Sequence, residues 1–289
     1  MAGRLLRLFV ILALAGACSD PASPSGSDGP VAIIAGAGDI GWCGSPGPGE
    51  TGRLLDGIGG TVFTAGDNAY PSGTAEDFQN CYDPGWGRHR PRTRPSAGNH
   101  DYASPEAEPY FAYFGDRAGP AGVGYYSYLL GLWHVVVLNS NVSMAAGSPQ
   151  DQWLRDDLLA NPTVCTLAYW HHPLFSSSLH GNDPRSYDAW QTLRAAGVDV
   201  VVNGHDHVYE RFGTQTQDGI PDSLGIRQFT VGTGGAPLYA FGAARPNSEL
   251  RYNDQFGVLK LSLRSDRYDW EFITAQRTIA DAGSAPCRR

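Results

Sequence analysis

Thr61-Val62-Phe63-Thr64-Ala65-Gly66-Asp67-Asn68-Ala69-Tyr70 is the stretch on which the fold turns. Its first five residues form a short apolar and β-branched run, as buried strands do, and the run stops at Gly-Asp. Glycine at that point lets the chain turn sharply and presents the next side chain, an acid, beyond the strand end. The same grammar recurs four times. Val31 to Ala37 leads into Gly38-Asp39-Ile40-Gly41, and Gly98-Asn99-His100-Asp101, His171-His172-Pro173 and Gly204-His205-Asp206-His207 also follow expected strands. In open α/β sheets the loops at the carboxyl ends of strands converge on one crevice, so residues far apart in sequence meet there. The five loops supply Asp, Asn, Tyr and His. That is an oxygen and nitrogen donor set without thiolate, suited to Fe, Mn or Zn rather than to an iron-sulfur cluster. Each motif alone is weak, since a Gly-Asp turn is commonly structural and His-x-His fits one face of a strand. The five in this order carry the reading.

Working outward, Leu54, Leu55 and Ile58 have helical spacing, and Thr74 with Asp77 makes a capping box for a helix running to about residue 80. Tyr125 to Leu130 and Trp133 to Leu138 flank Gly131-Leu132 as a hairpin. Ser148-Pro149 opens a helix that runs to about Ala160. A strand at Val164 to Trp170, a helix at Tyr187 to Ala196, a strand at Val198 to Asn203 and a β-rich tail (Ile226 to Val231, Phe256 to Ile273) complete the pattern. With no internal repeat and no interior linker, this describes one α/β domain over residues 31–289, with helices outside β-sheets.

The 289 residues are 42% hydrophobic, enough to fill a core and to exclude a disordered or collagen-like chain. With 37 Gly and 20 Pro, the chain is rich in ordered loops. Lys260 is the one lysine among 21 basic residues, and the formal net charge is −8, so nothing points to a nucleic-acid partner. Residues 1–17 have the layout of a signal peptide: Arg4 and Arg7, an apolar run from Leu8 to Ala15 too short to span a bilayer, then small residues before Cys18. Two cleavages fit. One is by ordinary signal peptidase, and the other is at a lipobox, in which Cys18 is lipidated, although Ala15 stands where a lipobox has Leu. Residues 18–30, rich in Ser, Pro and Gly, read as a flexible tether. The expected location is exported, either membrane-anchored through Cys18 or secreted. Losing Arg4 and Arg7 with the leader, and no acid, takes the net charge from −8 to −10.

Export permits disulfides. Cys43, Cys81, Cys165 and Cys287 allow three pairings. Cys43 and Cys81 each follow a strand ending in Gly-Asp, which favours Cys43 with Cys81 and leaves Cys165 to tie the tail at Cys287; free buried thiols are the alternative. The run Arg88-His89-Arg90-Pro91-Arg92-Thr93-Arg94 reads either as a solvated loop or as a positive field that draws anions toward the crevice.

The five motifs in this order resemble the calcineurin-like metallophosphoesterases, and Tyr70, three residues after Asp67, makes the chain look like their purple acid phosphatase branch. The resemblance spans Ala35 to His207. It implies a four-layer α/β/β/α sandwich of two mixed β-sheets flanked by helices, with a dinuclear metal centre at the strand ends. By this likeness Asp39, Tyr70 and His207 would hold the first metal, Asn99, His171 and His205 the second, and Asp67 would bridge them. A phenol ionises at neutral or acidic pH only against a strongly Lewis-acidic cation, so Tyr70 argues for Fe(III) at the first position, with Zn, Mn or Fe(II) at the second. If Tyr70 merely packs, both sites suit Mn or Zn. The implied reaction is hydrolysis of small phosphate monoesters by a metal-activated hydroxide, His100 assisting the leaving group as catalytic residue. Asn99, His172 and His180 would contact substrate, while Asp101 and Asp206 would orient neighbouring ligands or loops. The alternatives are a phosphodiesterase or nucleotidase on the same fold, and a surface binding lipoprotein without catalysis.

Overall fold

The computed structural model describes Met1, Gly3 and residues 31–288, so the leader, Cys18 and the tether otherwise lie outside the described residues. Thirteen strands among these residues form two mixed sheets. The first contains β1 (Ala32–Ala37), β2 (Thr61–Ala65), β3 (Thr93–Ser96), β11 (Gly257–Leu263), β12 (Arg267–Thr274) and β13 (Ile279–Pro286), in the order β13-β12-β11-β1-β2-β3. The second contains β4 (Tyr126–Leu130), β5 (Trp133–Val137), β6 (Cys165–Tyr169), β7 (Val200–Asn203), β8 (Tyr209–Phe212), β9 (Arg227–Val231) and β10 (Ser248–Tyr252), ordered β10-β8-β9-β7-β6-β5-β4. β1, β2 and β3 run parallel, as do β5, β6, β7 and β9, and the remaining pairs are antiparallel.

Side-chain alternation shows how the layers stack. On β5, Val135 and Val137 join the core between the sheets, whereas Val136 points the other way; Leu167 against Ala168 and Val200 against Val201 repeat this on β6 and β7. The second face is covered by helices α5 (Pro149–Ala160) and α6 (Tyr187–Ala195), which bury Leu154, Ala189, Trp190 and Leu193 against it. Across the first sheet lie α1 (Gly47–Asp56) and the short helices α2 (Ala75–Asp77), α3 (Asp83–Trp86) and α4 (Glu108–Phe114), of which α1, α3 and α4 bury Leu54, Leu55, Trp86, Tyr110 and Phe114 in a hydrophobic cluster continuous with that sheet. Helix, sheet, sheet, helix is the expected four-layer sandwich. Among the described residues no helix is long and apolar enough to cross a membrane.

Local expectations hold at the caps. The Thr74 hydroxyl accepts from the Asp77 amide and the Asp77 carboxylate accepts in return, and the Ser148 hydroxyl caps α5. The helix expected to reach residue 80 stops as α2 at Asp77 and gives way to a wider turn over Phe78–Tyr82. β3 carries Pro95, which has no N–H for a ladder, and accordingly sits at the sheet edge beside β2. The arginine run belongs to the opposite end of that strand. Arg88 pairs with Asp56, Arg92 donates to the carbonyls of Leu55 and Ile58, and Arg90 lies over the Tyr113 ring. The run is a structural clasp on α1 rather than a field at the strand ends.

Both disulfides form as expected, Cys43 with Cys81 and Cys165 with Cys287, across 38 and 122 residues of sequence. Cross-linking restricts the unfolded chain more for the longer loop. Replacing Cys165 and Cys287 by Ala should lower the unfolding free energy by about 5 kcal/mol, and replacing Cys43 and Cys81 by about 4 kcal/mol. Urea denaturation of the two double variants checks this, and a loss under about 1 kcal/mol for the longer loop contradicts it.

Candidate metal centre

Asp39 follows β1, Asp67 follows β2, Asn99 follows β3, His171 follows β6, and His205 and His207 follow β7, so the carboxyl ends of both sheets feed one site. The turn chemistry differs from the sequence expectation in an informative way. Asp39, Asp67 and His205 themselves adopt the left-handed conformation, with φ of 59°, 50° and 69°, which is costly for residues with a Cβ. Of the glycines before the motifs, Gly66 has a positive φ, while Gly98 is needed for space. A Cβ on Gly98 would lie 2.1 Å from Asp67 Oδ1, and one on Gly66 would lie 2.4 Å from His171 Nδ1. Backbone bonds stitch the loops together: the Asp39 amide donates to Gly66, Ile40 to Asp67, Gly204 to His171, and Gly38 to Val231 across the two sheets.

All seven expected ligand residues converge. Tyr70 Oη lies 2.9 Å from Asp39 Oδ1, 3.1 Å from Asp67 Oδ2 and 3.1 Å from His207 Nε2. His171 Nε2 lies 3.2 Å from Asp67 Oδ2, 3.0 Å from Asn99 Oδ1 and 3.2 Å from His205 Nδ1. Asp67 is thus common to both groups. Asp39, Asp67, Tyr70 and His171 are essentially inaccessible to solvent.

The donor set tests whether cations fit. Tyr70 Oη faces two carboxylate oxygens and an imidazole nitrogen: His207 donates from Nδ1 to the Pro237 carbonyl, which aims its Nε2 at the centre. His171 likewise donates from Nδ1 to the Ala65 carbonyl, and its Nε2 faces an amide oxygen, a carboxylate and a second imidazole. Two buried carboxylates, a phenol, an amide oxygen and three imidazoles within hydrogen-bond reach of one another make a donor set that two cations fit, and the carbonyl-fixed imidazoles are the usual support for metal binding. The electrostatics agree. Burial opposes charge on Asp67 and His171, yet their mutual attraction prevails, raising His171 to about 9 and holding Asp67 well below the usual carboxylate range. Burial, with the carboxylates of Asp39 and Asp67, pushes the Tyr70 phenol well above its ordinary value, so its ionisation requires a cation. Burial and the His171 charge lower His205 to about 3, which keeps it neutral. His171, His172 and His205 form one candidate metal-holding group and Asp39, Asp67 and His171 another.

Around this cluster, His100 donates its amide to Asp67 Oδ1 at 2.7 Å and its Nδ1–H to the Pro71 carbonyl, leaving Nε2 4.0 Å from Asp67 Oδ2. His172 is buried, its ring 4.4 Å from that of His205 and its Nδ1 2.7 Å from Ser140 Oγ. His180 is half-exposed, stacks on His205 at 4.2 Å and is held by Asp206, which accepts from both its amide and its Nδ1. Asp101 accepts from the amides of Asn68 and Gly98 and so ties the second loop to the third. Burial and the Asp67 charge raise Asp101 to about 7.

Two aromatic residues at the site escaped the sequence reading. Trp42 packs on Tyr70, and Tyr239 stacks on His207 at 4.0 Å. Tyr239 sits in an irregular stretch without a motif; the signal available was its place after β9, another strand whose carboxyl end reaches this crevice.

Comparison with known proteins agrees with this architecture. The chain is 28% identical over 184 residues to probable purple acid phosphatase 20 of Arabidopsis thaliana, covering 55% of this chain and 43% of that protein. Among solved structures, purple acid phosphatase PPD1 from yellow lupin (Lupinus luteus) seeds superposes with a TM-score of 0.78 at 19% identity, over 88% of this chain and 53% of the other. GAP50, the anchor in the inner membrane complex of Plasmodium, superposes with a TM-score of 0.71 at 12% identity, over 90% of each. The chain therefore spans about half the length of the phosphatases it matches. A family model described as calcineurin-like phosphoesterase matches residues 33–209, which takes in every motif of the site, and the chain belongs to that family.

Proposed function

We propose that this protein is an exported metal-dependent phosphatase that hydrolyses phosphate monoesters at a dinuclear centre, with residues 31–289 as its single catalytic domain. The observation that carries the reading is the convergence of seven donor side chains on two groups that share Asp67, with His100 at their edge. In this reading Asp39, Tyr70 and His207 hold the first metal, Asn99, His171 and His205 the second, and Asp67 serves both. The phenol of Tyr70 favours Fe(III) at the first position, and the neutral oxygen of Asn99 suits Zn, Mn or Fe(II) at the second. Bound there, the pair would lower the pKa of water and neutralise charge on phosphoryl oxygens.

The chain's own residues do the rest. Asp67, fixed by the His100 amide, holds the two halves of the site in register. His100 has Nδ1 committed to the Pro71 carbonyl, so Nε2 is the atom free to exchange a proton with the departing oxygen. His180 and His172 edge the second group, where an N–H can orient a phosphoryl oxygen; Asp206 aims the first and Ser140 the second. Relatives named purple acid phosphatases favour a monoester substrate. The two disulfides favour an oxidising compartment, in keeping with export and with either fate of Cys18, lipidated or free.

Two outcomes are expected. Iron-loaded protein should show a visible absorption band that Tyr70→Phe removes; a colourless wild type that holds no iron contradicts the Fe(III)-tyrosinate assignment. His100→Ala should lower kcat by about 100-fold on an alkyl phosphate, and by much less on 4-nitrophenyl phosphate, whose leaving group needs no proton. Equal losses on both esters at unchanged metal content would remove His100 from the proton-transfer role.

A further inference from the structure

The aromatic rings around the centre form a chain with an open end. Tyr70 contacts His100 at 4.3 Å and His207 at 6.0 Å, and on the side toward β1 its ring meets Trp42 at 5.0 Å. Five of the seven tryptophans, Trp86, Trp133, Trp170, Trp190 and Trp270, are buried, and Trp153 packs against the helical core. Trp42 is 37% exposed. Scattered exposed apolar residues need no explanation, but two features separate this one from them. First, it is held in place. Its amide donates to the Ile40 carbonyl, its own carbonyl accepts from Ser45, Gly41 pairs with Ala69, and Cys43 beside it is bonded to Cys81. An aromatic residue on a braced backbone, its ring already packed on Tyr70, loses less freedom when a ligand stacks on it than a side chain on a free loop would. Second, Trp42 and His100 touch the same ring, that of Tyr70, and both reach solvent.

We propose that Trp42 forms a subsite for the leaving group of the substrate and that it selects flat aromatic groups over small aliphatic ones. The inference rests on the phosphatase reading, in which His100 meets the ester oxygen as it departs. The organic part bonded to that oxygen then extends past His100 toward Trp42, the two solvent-reaching rings that flank the buried Tyr70. The indole face offers a ring of the substrate dispersion and stacking, and a methyl or ethyl group is too small to collect either. Trp42 is a specificity residue here, not a proton donor or a metal ligand.

Calorimetric titration of the metal-loaded full chain with phenylphosphonate, methylphosphonate and inorganic phosphate tests this without turnover. Trp42→Ala should raise the Kd for phenylphosphonate about fivefold relative to that for methylphosphonate, and Trp42→Phe, which keeps a ring, should restore most of the difference. If both phosphonates weaken together in Trp42→Ala, or neither changes, the subsite is overturned while the phosphatase reading stands, because the wild type still binds phosphate. If the wild type binds none of the three anions, the phosphatase reading falls and takes the subsite with it.

Discussion

One phenol oxygen surrounded by two carboxylate oxygens and an imidazole nitrogen, all within 3.1 Å, is the constraint on which this molecule turns. Taking two carboxylates out of water costs several kcal/mol each unless positive charge meets them. The fold brings little of its own to Asp39: its neighbours are the Tyr70 hydroxyl, the His205 amide and the imidazole of His207. Bound cations are the economical solution. Asp39, Asp67 and His205 are held in left-handed backbone conformations. Strain of that kind persists where the surroundings over-determine it. Here the surroundings are two sheets whose parallel strands end at the same level, so that loops from both must interlock.

The interlocking is done by groups one step back from the cluster. Asp101 gathers the amides of Asn68 and Gly98, His171 and His207 are fixed through backbone carbonyls, and Asp206 anchors His180. Each of these fixes an orientation instead of adding bulk. The Cys43 to Cys81 bond closes the rim on the β1 side, and the Cys165 to Cys287 bond ties the start of β6 to the chain end, at the opposite end of the strands from the site. The molecule is thus braced at both ends of the same strands.

How much of this was legible in the sequence follows from what each segment asks of its residues. β1 and β2 are buried and parallel, so they read as apolar runs, and the acids beyond them carry motifs because the turn geometry admits few residues. β3 has no such run: it is an edge strand containing Arg94 and Pro95, and only the motif after it betrayed its end. β8, β10 and β13 were not separately legible, since their polar residues are satisfied by partners distant in sequence, as Tyr209 and Arg211 are by Asp281. The motif glycines were visible but their work was not. Space beside Asp67 and His171 is a three-dimensional requirement, and the unusual φ values fall on the donor residues themselves. Trp42 and Tyr239 belong to no motif, because an aromatic wall needs position in space and not spacing in sequence.

The buried cluster is proposed to hold two cations that share Asp67, and metal stoichiometry measures this directly. Elemental analysis of the purified, unchelated chain should find about two metal ions per molecule, and Asp67→Asn should retain fewer while keeping a native circular dichroism spectrum. A wild type that folds and hydrolyses a phosphate monoester with no bound metal, or an Asp67→Asn variant that keeps both ions, would contradict it.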